Sequence, residues 1–175
     1  MRVELPRLTL VLGGAASGKS AFAEGVVSKA GRPRVYIATA MAFDEEMSKK
    51  IADHRESRGP DWRTIEAPRD LTAAFEQVEA SEVVLLDCAT LWLSNVMLAE
   101  EEVALAVEDL FEALEDCAAP VVVVSNETGM GVVPEHKLGR TFRNAQGRLN
   151  QRLAAKAECV VLVTAGLPLF LKGSA

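Results

Sequence analysis

Eight consecutive residues constrain this chain more than any others. Gly13, Gly14, Ala15, Ala16, Ser17, Gly18, Lys19 and Ser20 complete the pattern G-x-x-x-x-G-K-[ST]. An apolar, β-type run precedes them (Leu8, Thr9, Leu10, Val11, Leu12), and an amphipathic helical stretch follows (Phe22, Val26, Val27). That strand–loop–helix setting is what the pattern needs in order to cradle phosphates. Small residues at 13–18 let backbone N–H groups close around an anion. Lys19 brings a point charge for the β- and γ-phosphates of a nucleotide, and the Ser20 hydroxyl is a ligand for Mg²⁺. The helix that begins here points its positive end at the same anion. The other reading, a glycine-rich turn between a strand and a helix, fits the flanks less well.

The rest of the chain repeats the alternation that the loop begins. Strand-like runs fall at 8–12, 34–38, 82–87, 120–125 and 159–164. They are rich in Val, Ile and Leu with little alternation, as in parallel strands buried on both faces. Helical stretches fall at 19–30, 45–58, 70–80, 102–117 and 135–157. Asp70 is placed to cap the third, and Pro120 closes the connection after the fourth. The run 63–66 reads as an extra edge strand, and LPLFLK after Gly166 as another. No repeat, linker or low-complexity tract breaks the pattern. The expectation is one α/β domain over 1–175, of the P-loop NTPase (RecA-like) type: a mostly parallel sheet, helices on both faces, and nucleotide at the C-terminal strand ends.

Composition narrows the partners. The hydrophobic fraction of 49% suits a core covered on two faces. A formal charge of −6, with the basic residues spread out, does not suit nucleic acid. No apolar run approaches the ~18 residues of a membrane span. Glu4 and Pro6 interrupt the N-terminus, so LTLVL reads as a first strand and not a signal peptide. Cys88, Cys117 and Cys159 are widely separated and show no zinc spacing. They read as small buried hydrophobes in a reducing cytoplasm.

Three further segments carry candidate chemistry. Asp87 ends the apolar run VVLLD, where a P-loop protein places a carboxylate on the Mg²⁺ side; the alternative is a helix N-cap for 89–98. In DEEMSKKIADHRESR, acidic Asp44, Glu45 and Glu46 suit a helix start. Met47, Ile51, His54 and Arg58 share one helical face, with Met47 and Ile51 expected to bury it. A neutral imidazole at His54, beside Arg55 and Arg58, is a candidate nucleophile toward phosphorus. A surface or packing histidine is the other reading, and His136 reads as part of a solvated helix start. The loop SNETGMGVVP at 125–134 follows a strand end, where Asn126 and Glu127 either meet a polar substrate or cap their own turn. Beyond it, Arg143, Arg148 and Arg152 lie on a helix. Arg148 and Arg152 reach a phosphate or a partner subunit, or form a solvated face.

The motifs together resemble the bifunctional adenosylcobinamide kinase / adenosylcobinamide-phosphate guanylyltransferase family. The resemblance rests on GGAASGKS, YIATA at 36–40, H-R-x-x-R-x-x-x-W-R-T from His54, LLDCATLWLSN at 85–95, N-E-x-G-x-G-x-V-P from Asn126, and GLPLFLK. It implies that His54 attacks the α-phosphorus of GTP and carries GMP as a phosphoramidate. It implies nucleotide contacts at Gly13–Ser20, at Ala38, Thr39 and Ala40, at Arg55, Glu56, Ser57 and Arg58, and at Glu66 and Asp87. It further implies Mg²⁺ at Ser20 and Asp87, GTP and ATP with a corrinoid substrate (adenosylcobinamide), and a homotrimer with the site near subunit contacts. The chain departs from the family pattern at Ala16, where Arg is usual, and at Asp87, where Glu is common. One phosphate contact is lost at the first, and a direct contact becomes water-mediated at the second. Outside the resemblance stand a monofunctional P-loop small-molecule kinase without a GMP–histidine and a non-catalytic nucleotide switch.

Overall fold

The computed structural model describes residues 4–42 and 45–174; the side chains of Glu46, Met47, Lys50, His54, Arg55 and Ser57 lie outside the described ones. In chain order the elements are β1 (Leu8–Gly13), α1 (Lys19–Lys29), β2 (Arg34–Ala38), α2 (Glu45–Arg58), β3 (Trp62–Glu66), α3 (Leu71–Phe75) and β4 (Val83–Asp87). Then come α4 (Ala89–Leu98), α5 (Val103–Asp116), β5 (Val121–Asn126), α6 (Lys137–Lys156), β6 (Cys159–Thr164) and β7 (Leu167–Lys172). The strands form one seven-stranded sheet in the order β3-β2-β4-β5-β1-β6-β7. Every pairing is parallel except β6 with β7.

The absence of polar alternation in the strands has a direct consequence: both sheet faces are buried. Leu10, Val35, Ile37, Val84, Leu86, Val121 and Val123 face one core, together with Trp92 and Leu93 of α4, Leu110 and Phe111 of α5, and Leu149 and Leu153 of α6. The intervening residues Val11, Tyr36, Leu85, Val122, Val124, Val161 and Val163 face a smaller core closed by Ala23, Val26 and Val27 of α1. Each of these aliphatic side chains, fully buried, is worth about 1.5–3 kcal/mol relative to exposure. Both expected edge elements are strands, with β3 at one edge and β7 at the other. Asp44, expected at the start of the second helix, lies outside the described residues, and Ile51 is half-buried.

One local expectation differs from the outcome, and one alternative reading is set aside. The helix expected over 70–80 is only α3, Leu71–Phe75, capped by Asp70 through its Oδ1, which accepts from Ala73 N at 3.0 Å. It ends early because the Glu82 carboxylate accepts from the Glu79 N–H at 2.8 Å and folds the following residues into turns. The cap of α4 is Cys88, whose Sγ accepts from Leu91 N at 3.4 Å, and not Asp87. Asp87 is thereby left for other chemistry.

Glu82 is also buried against Arg63, which binds it through Nη2 at 2.7 Å and Nε at 3.2 Å. Burial works to raise the Glu82 carboxyl, but the hydrogen bonds from Arg63 and Glu79 outweigh it and hold the group below its ordinary value. A depressed carboxylate stabilises the fold above its unfolded pKa and loses that contribution as pH falls through the folded value. Glu82→Gln is therefore expected to lower neutral-pH stability by about 1–2 kcal/mol and to flatten the acid limb of the stability–pH curve. Denaturant titration between neutral and acid pH checks this; a curve parallel to that of the parent protein would exclude Glu82 as the source.

Candidate functional site: the phosphate-binding loop and the ends of the parallel strands

The sheet register builds the site. Gly13 ends β1 opposite Asn126 of β5 and Val163 of β6. Ala38 ends β2 opposite both Glu66 of β3 and Asp87 of β4. Glu66, Ala38, Asp87, Asn126 and Gly13 therefore stand along one edge of the sheet, where parallel α/β sheets place their ligands.

The loop itself has the backbone of an anion cradle. Ala16 and Gly18 take positive φ, 53° and 90°, so the N–H groups that follow converge in the manner of a nest. Gly13 is required for space: a Cβ there would lie 2.3 Å from Ser17 Oγ and 2.8 Å from the Val163 carbonyl. Lys19 Nζ donates to the Gly14 carbonyl at 3.0 Å, folding the lysine back over the loop. Ser20 follows it in the first turn of α1 and is half-buried.

At the end of β4, Asp87 is half-buried and accepts from the Tyr36 hydroxyl through Oδ2 at 3.0 Å. Burial, and then the Asp87 charge, push the Tyr36 phenol far above its ordinary value, with Arg58 acting in the opposite sense. The hydroxyl stays protonated and donates. The Arg58 guanidinium lies 3.5 Å from the Tyr36 ring centroid. Its Nε and Nη1 are buried with no hydrogen-bond partner. Next to Asp87, burial foremost and then the Asp87 charge push the Cys88 thiol up to about 11, with the backbone N–H groups of Leu91 and Thr90 pulling it down. These are oxygen and cation groups set around one strand terminus, a chemistry suited to a polyphosphate and a hard divalent ion.

The structure places the other expected residues as follows. Thr39 is fully buried, and its Oγ1 donates to the Cys88 carbonyl and accepts from Cys88 N, both at 2.8 Å. It staples β2 to β4 beneath Ala38 and Ala40. Glu56 and Glu66 are exposed. His54, Arg55 and Ser57 occupy α2, with His54 one turn before Arg58; their side chains lie outside the described ones. His136 is the exposed N-cap position of α6 and makes no capping bond. In the loop after β5, the Glu127 carboxylate accepts from Gly129 N, which is the turn-capping alternative. Arg143 donates to the carbonyls of Gly129 and Gly131, and Arg140 to those of Pro134 and Glu135. Arg152 pairs with Glu108 of α5 at 2.8 Å over the Phe111 ring, which is a contact within the chain; Arg148 is exposed.

Several supporting residues were not foreseen. Tyr36 was quoted in a motif and given no role, although one phenol among the aliphatics of a buried strand asks for a partner. Asn95 is a polar residue on the buried side of an apolar helix. Its Nδ2 donates to the carbonyls of Thr39 at 2.8 Å and Pro68 at 2.9 Å. A buried network sits beneath Asn126. Ser125 Oγ donates to Asn150 Oδ1 at 2.6 Å, Gln146 Nε2 donates to both, Thr90 Oγ1 accepts from Asn126 N, and Asn150 Nδ2 donates to Asn126 O. Apart from Gln146 Oε1, which has no partner, these buried polar groups bind one another and so favour one geometry, here that of the strand end beside Gly13.

A cavity of about 490 Å³ lies beside this edge, between Glu66–Gln77 and α5. Among the described residues no group of three or more His, Cys, Asp or Glu is arranged to hold a metal, and no helix is long and apolar enough to cross a membrane.

Known proteins locate the chain firmly. A family model described as cobinamide kinase / cobinamide phosphate guanyltransferase matches residues 9–171. The bifunctional adenosylcobalamin biosynthesis protein CobP of Pseudomonas aeruginosa is 44% identical over 94% of this chain and 96% of its own. The corresponding CobU of Escherichia coli is 38% identical over 94% of this chain and 99% of its own. Among solved structures, the flagellar accessory protein FlaH of Methanocaldococcus jannaschii has a TM-score of 0.53 at 13% identity, covering 97% of this chain and 80% of its own. An ATPase of a bacterial type III secretion system has a TM-score of 0.57 at 12% identity, over 90% of this chain and 51% of its own. At such identities these two speak for the P-loop NTPase fold alone. With loop, strand register and sequence in agreement along almost the entire length, the chain belongs to the cobinamide kinase / cobinamide phosphate guanyltransferase family and is an enzyme of that bifunctional class.

Proposed function

We propose that one nucleotide cradle serves two successive reactions. In the first, a nucleoside triphosphate, ATP or GTP, held at Gly13–Ser20 gives its γ-phosphoryl to the aminopropanol hydroxyl of adenosylcobinamide. In the second, His54 attacks the α-phosphorus of GTP and pyrophosphate leaves. The phosphate of the first product then takes GMP from His54, giving adenosylcobinamide-GDP. Dividing the transfer through a histidine replaces one anion-on-anion attack by two steps with a neutral nucleophile in the first. Lys19, Arg55 and Arg58 offset the charge that accumulates. The observation that carries this reading is the pair of unpartnered buried donors on Arg58, set over the ring of Tyr36, whose hydroxyl binds Asp87. These are the donors an anion at this strand end would use.

The donor set fits Mg²⁺. Ser20 contributes a hydroxyl at the first turn of α1, and Asp87 keeps one carboxylate oxygen beyond the one that Tyr36 engages. A hard ion that retains waters needs few protein oxygens besides the phosphates. When bound, it would supply charge neutralisation on the polyphosphate. Tyr36 holds Asp87 in its orientation, and Ala38, Thr39 and Ala40, with Glu66, form the wall beyond it. Glu56 and Ser57, on α2, are the further contacts that the family resemblance implies for the nucleotide. The three cysteines are free and buried, in keeping with a cytoplasmic protein.

The test is incubation with Mg²⁺ and GTP labelled at the α-phosphate. The expected result is protein-bound label that is acid-labile and base-stable. Absence of label in a protein that still phosphorylates adenosylcobinamide would favour the monofunctional kinase.

Assembly as a homotrimer belongs to the same reading. Leu167, Leu169, Phe170 and Leu171 of the edge strand β7 are all exposed, as are Met130, Val132 and Val133 of the loop after β5. Bare apolar edges are normally covered, and further copies of this chain are the occupant that the family resemblance implies. Light scattering at micromolar concentration is expected to return the mass of three chains, and Leu169→Glu with Leu171→Glu to lower it. A fully active monomer would end the need for a site between subunits.

A further inference from the structure

The β6–β7 connection is more than a reversal of the chain. Thr164 pairs with Leu167, leaving Ala165 and Gly166 as a two-residue turn at φ 52° and 77°. Positive φ at both positions is the signature of a type I′ hairpin, a turn that ordinarily takes Asn-Gly or Gly-Gly. Ala165 holds its conformation although an Ala in this region costs about 1–2 kcal/mol.

The tip of the turn rests on the phosphate-binding loop. Gly166 N donates to the Ser17 carbonyl at 2.8 Å. A Cβ on Gly18 would lie 3.1 Å from Gly166 Cα, and one on Gly13 would lie 2.8 Å from the Val163 carbonyl at the end of β6. The far end of β7 is anchored as well. Lys172 Nζ donates to the carbonyls of Ala154 and Ala155 at the C-terminus of α6, both at 3.2 Å. Beyond it, Gly173 is packed so closely that a Cβ would lie 2.2 Å from the Glu158 carbonyl. The strand between these two anchors buries none of its own side chains. It runs as a strut from the end of α6 to the nucleotide loop.

We propose that the β6–β7 turn is a positioning element for the phosphate cradle, and that Gly166 acts through Ser17. A peptide bond is planar and trans, so the C=O of Ser17 and the N–H of Gly18 point in opposite directions. Gly166 binds the carbonyl from outside the loop and so turns the Gly18 N–H away from the hairpin, to the concave side where convergent N–H groups meet an anion. Without that hydrogen bond the 17–18 peptide is free to rotate, and one phosphate donor loses its aim. The inference rests on the reading that the triphosphate sits at Gly13–Ser20.

Binding of a non-hydrolysable GTP analogue with Mg²⁺, measured by calorimetry, tests it in four proteins. Gly166→Asn keeps a residue that tolerates positive φ at a place where an added Cβ meets nothing within 4 Å; its affinity is expected within about twofold of the parent. Gly166→Val cannot hold this φ, and its affinity is expected to fall about three- to tenfold, the factor equivalent to one hydrogen bond. The same factor should appear in the nucleotide KM of both reactions, with kcat nearly unchanged. Glycolic acid in place of Gly166 removes only the N–H and is expected to reproduce the loss, which keeps the test decisive if the valine variant fails to fold. Lys19→Ala separates the two levels of the argument. If it weakens binding while the glycolate ester binds as the parent does, the strut role is wrong and the loop reading stands. If Lys19→Ala binds normally, the loop reading itself is wrong and the proposal falls with it.

Discussion

Replacing His54 with Ala or Asn is expected to abolish guanylyl transfer and leave phosphoryl transfer largely intact. The loss should be about 10⁴-fold or more, the scale on which removal of a covalent nucleophile acts. Kinase turnover should stay within about threefold, because γ-phosphoryl transfer draws on positioning and charge at the loop and not on an imidazole. The two histidines of the chain make the experiment clean. His136 lies at the solvent-exposed start of α6, far along the chain from Arg58. Adduct formation should also decline toward acid pH, because an imidazolium has no lone pair to offer phosphorus. Peptide mapping of protein labelled from α-phosphate-labelled GTP decides the matter. Label on the His136 peptide, or label persisting in His54→Ala, would overturn the assignment.

Lys19→Ala is expected to remove both activities together, each by about 10³-fold, the upper range for losing one preorganised electrostatic group. The chain has a single G-x-x-x-x-G-K-[ST], so both reactions draw on the same cradle. Lys19 lies over the Gly14 carbonyl, within the loop itself. Its side chain is half-exposed and makes no core contact, so far-ultraviolet circular dichroism and the melting temperature should change little. Near-normal guanylyl transfer in this variant would mean that the second reaction uses a different triphosphate site. The two variants thus divide the enzyme differently: one removes a step, the other removes the platform for both.

Much of this architecture was legible from local pattern. Unbroken Val/Ile/Leu runs announce strands buried on both faces, because only parallel strands between helical layers need apolar residues at successive positions. All seven strand and edge assignments differ from the structure by no more than about a residue at either end, which is the ordinary uncertainty of element boundaries. The phosphate loop was readable because its function is carried by backbone N–H groups, and only small residues let the backbone approach an anion. Asp70 was readable as a cap for the same local reason. Long-range contacts were not readable. The third helix was overestimated because Glu82, a residue outside it, takes the N–H that a further turn would have used. The cap of α4 was missed because Cys88 rarely advertises itself as an acceptor.

What the chain determined by itself, then, is everything that depends on neighbours in sequence: the loop, the strand–helix alternation, and the family motifs that single out His54, Arg58 and Asp87. What only the tertiary structure decided is which distant groups meet. Strand order brings Tyr36 of β2 to Asp87 of β4, 51 residues apart. Arg58, the last residue of α2, comes to lie over the same ring. Ser125, Gln146 and Asn150 find one another across β5 and α6, and the β6–β7 turn comes to rest on Ser17, far away in sequence. Hydrogen bonds and desolvation act through space within a few ångströms. Their partners are fixed by register and crossover connections, which no local spacing in the sequence encodes.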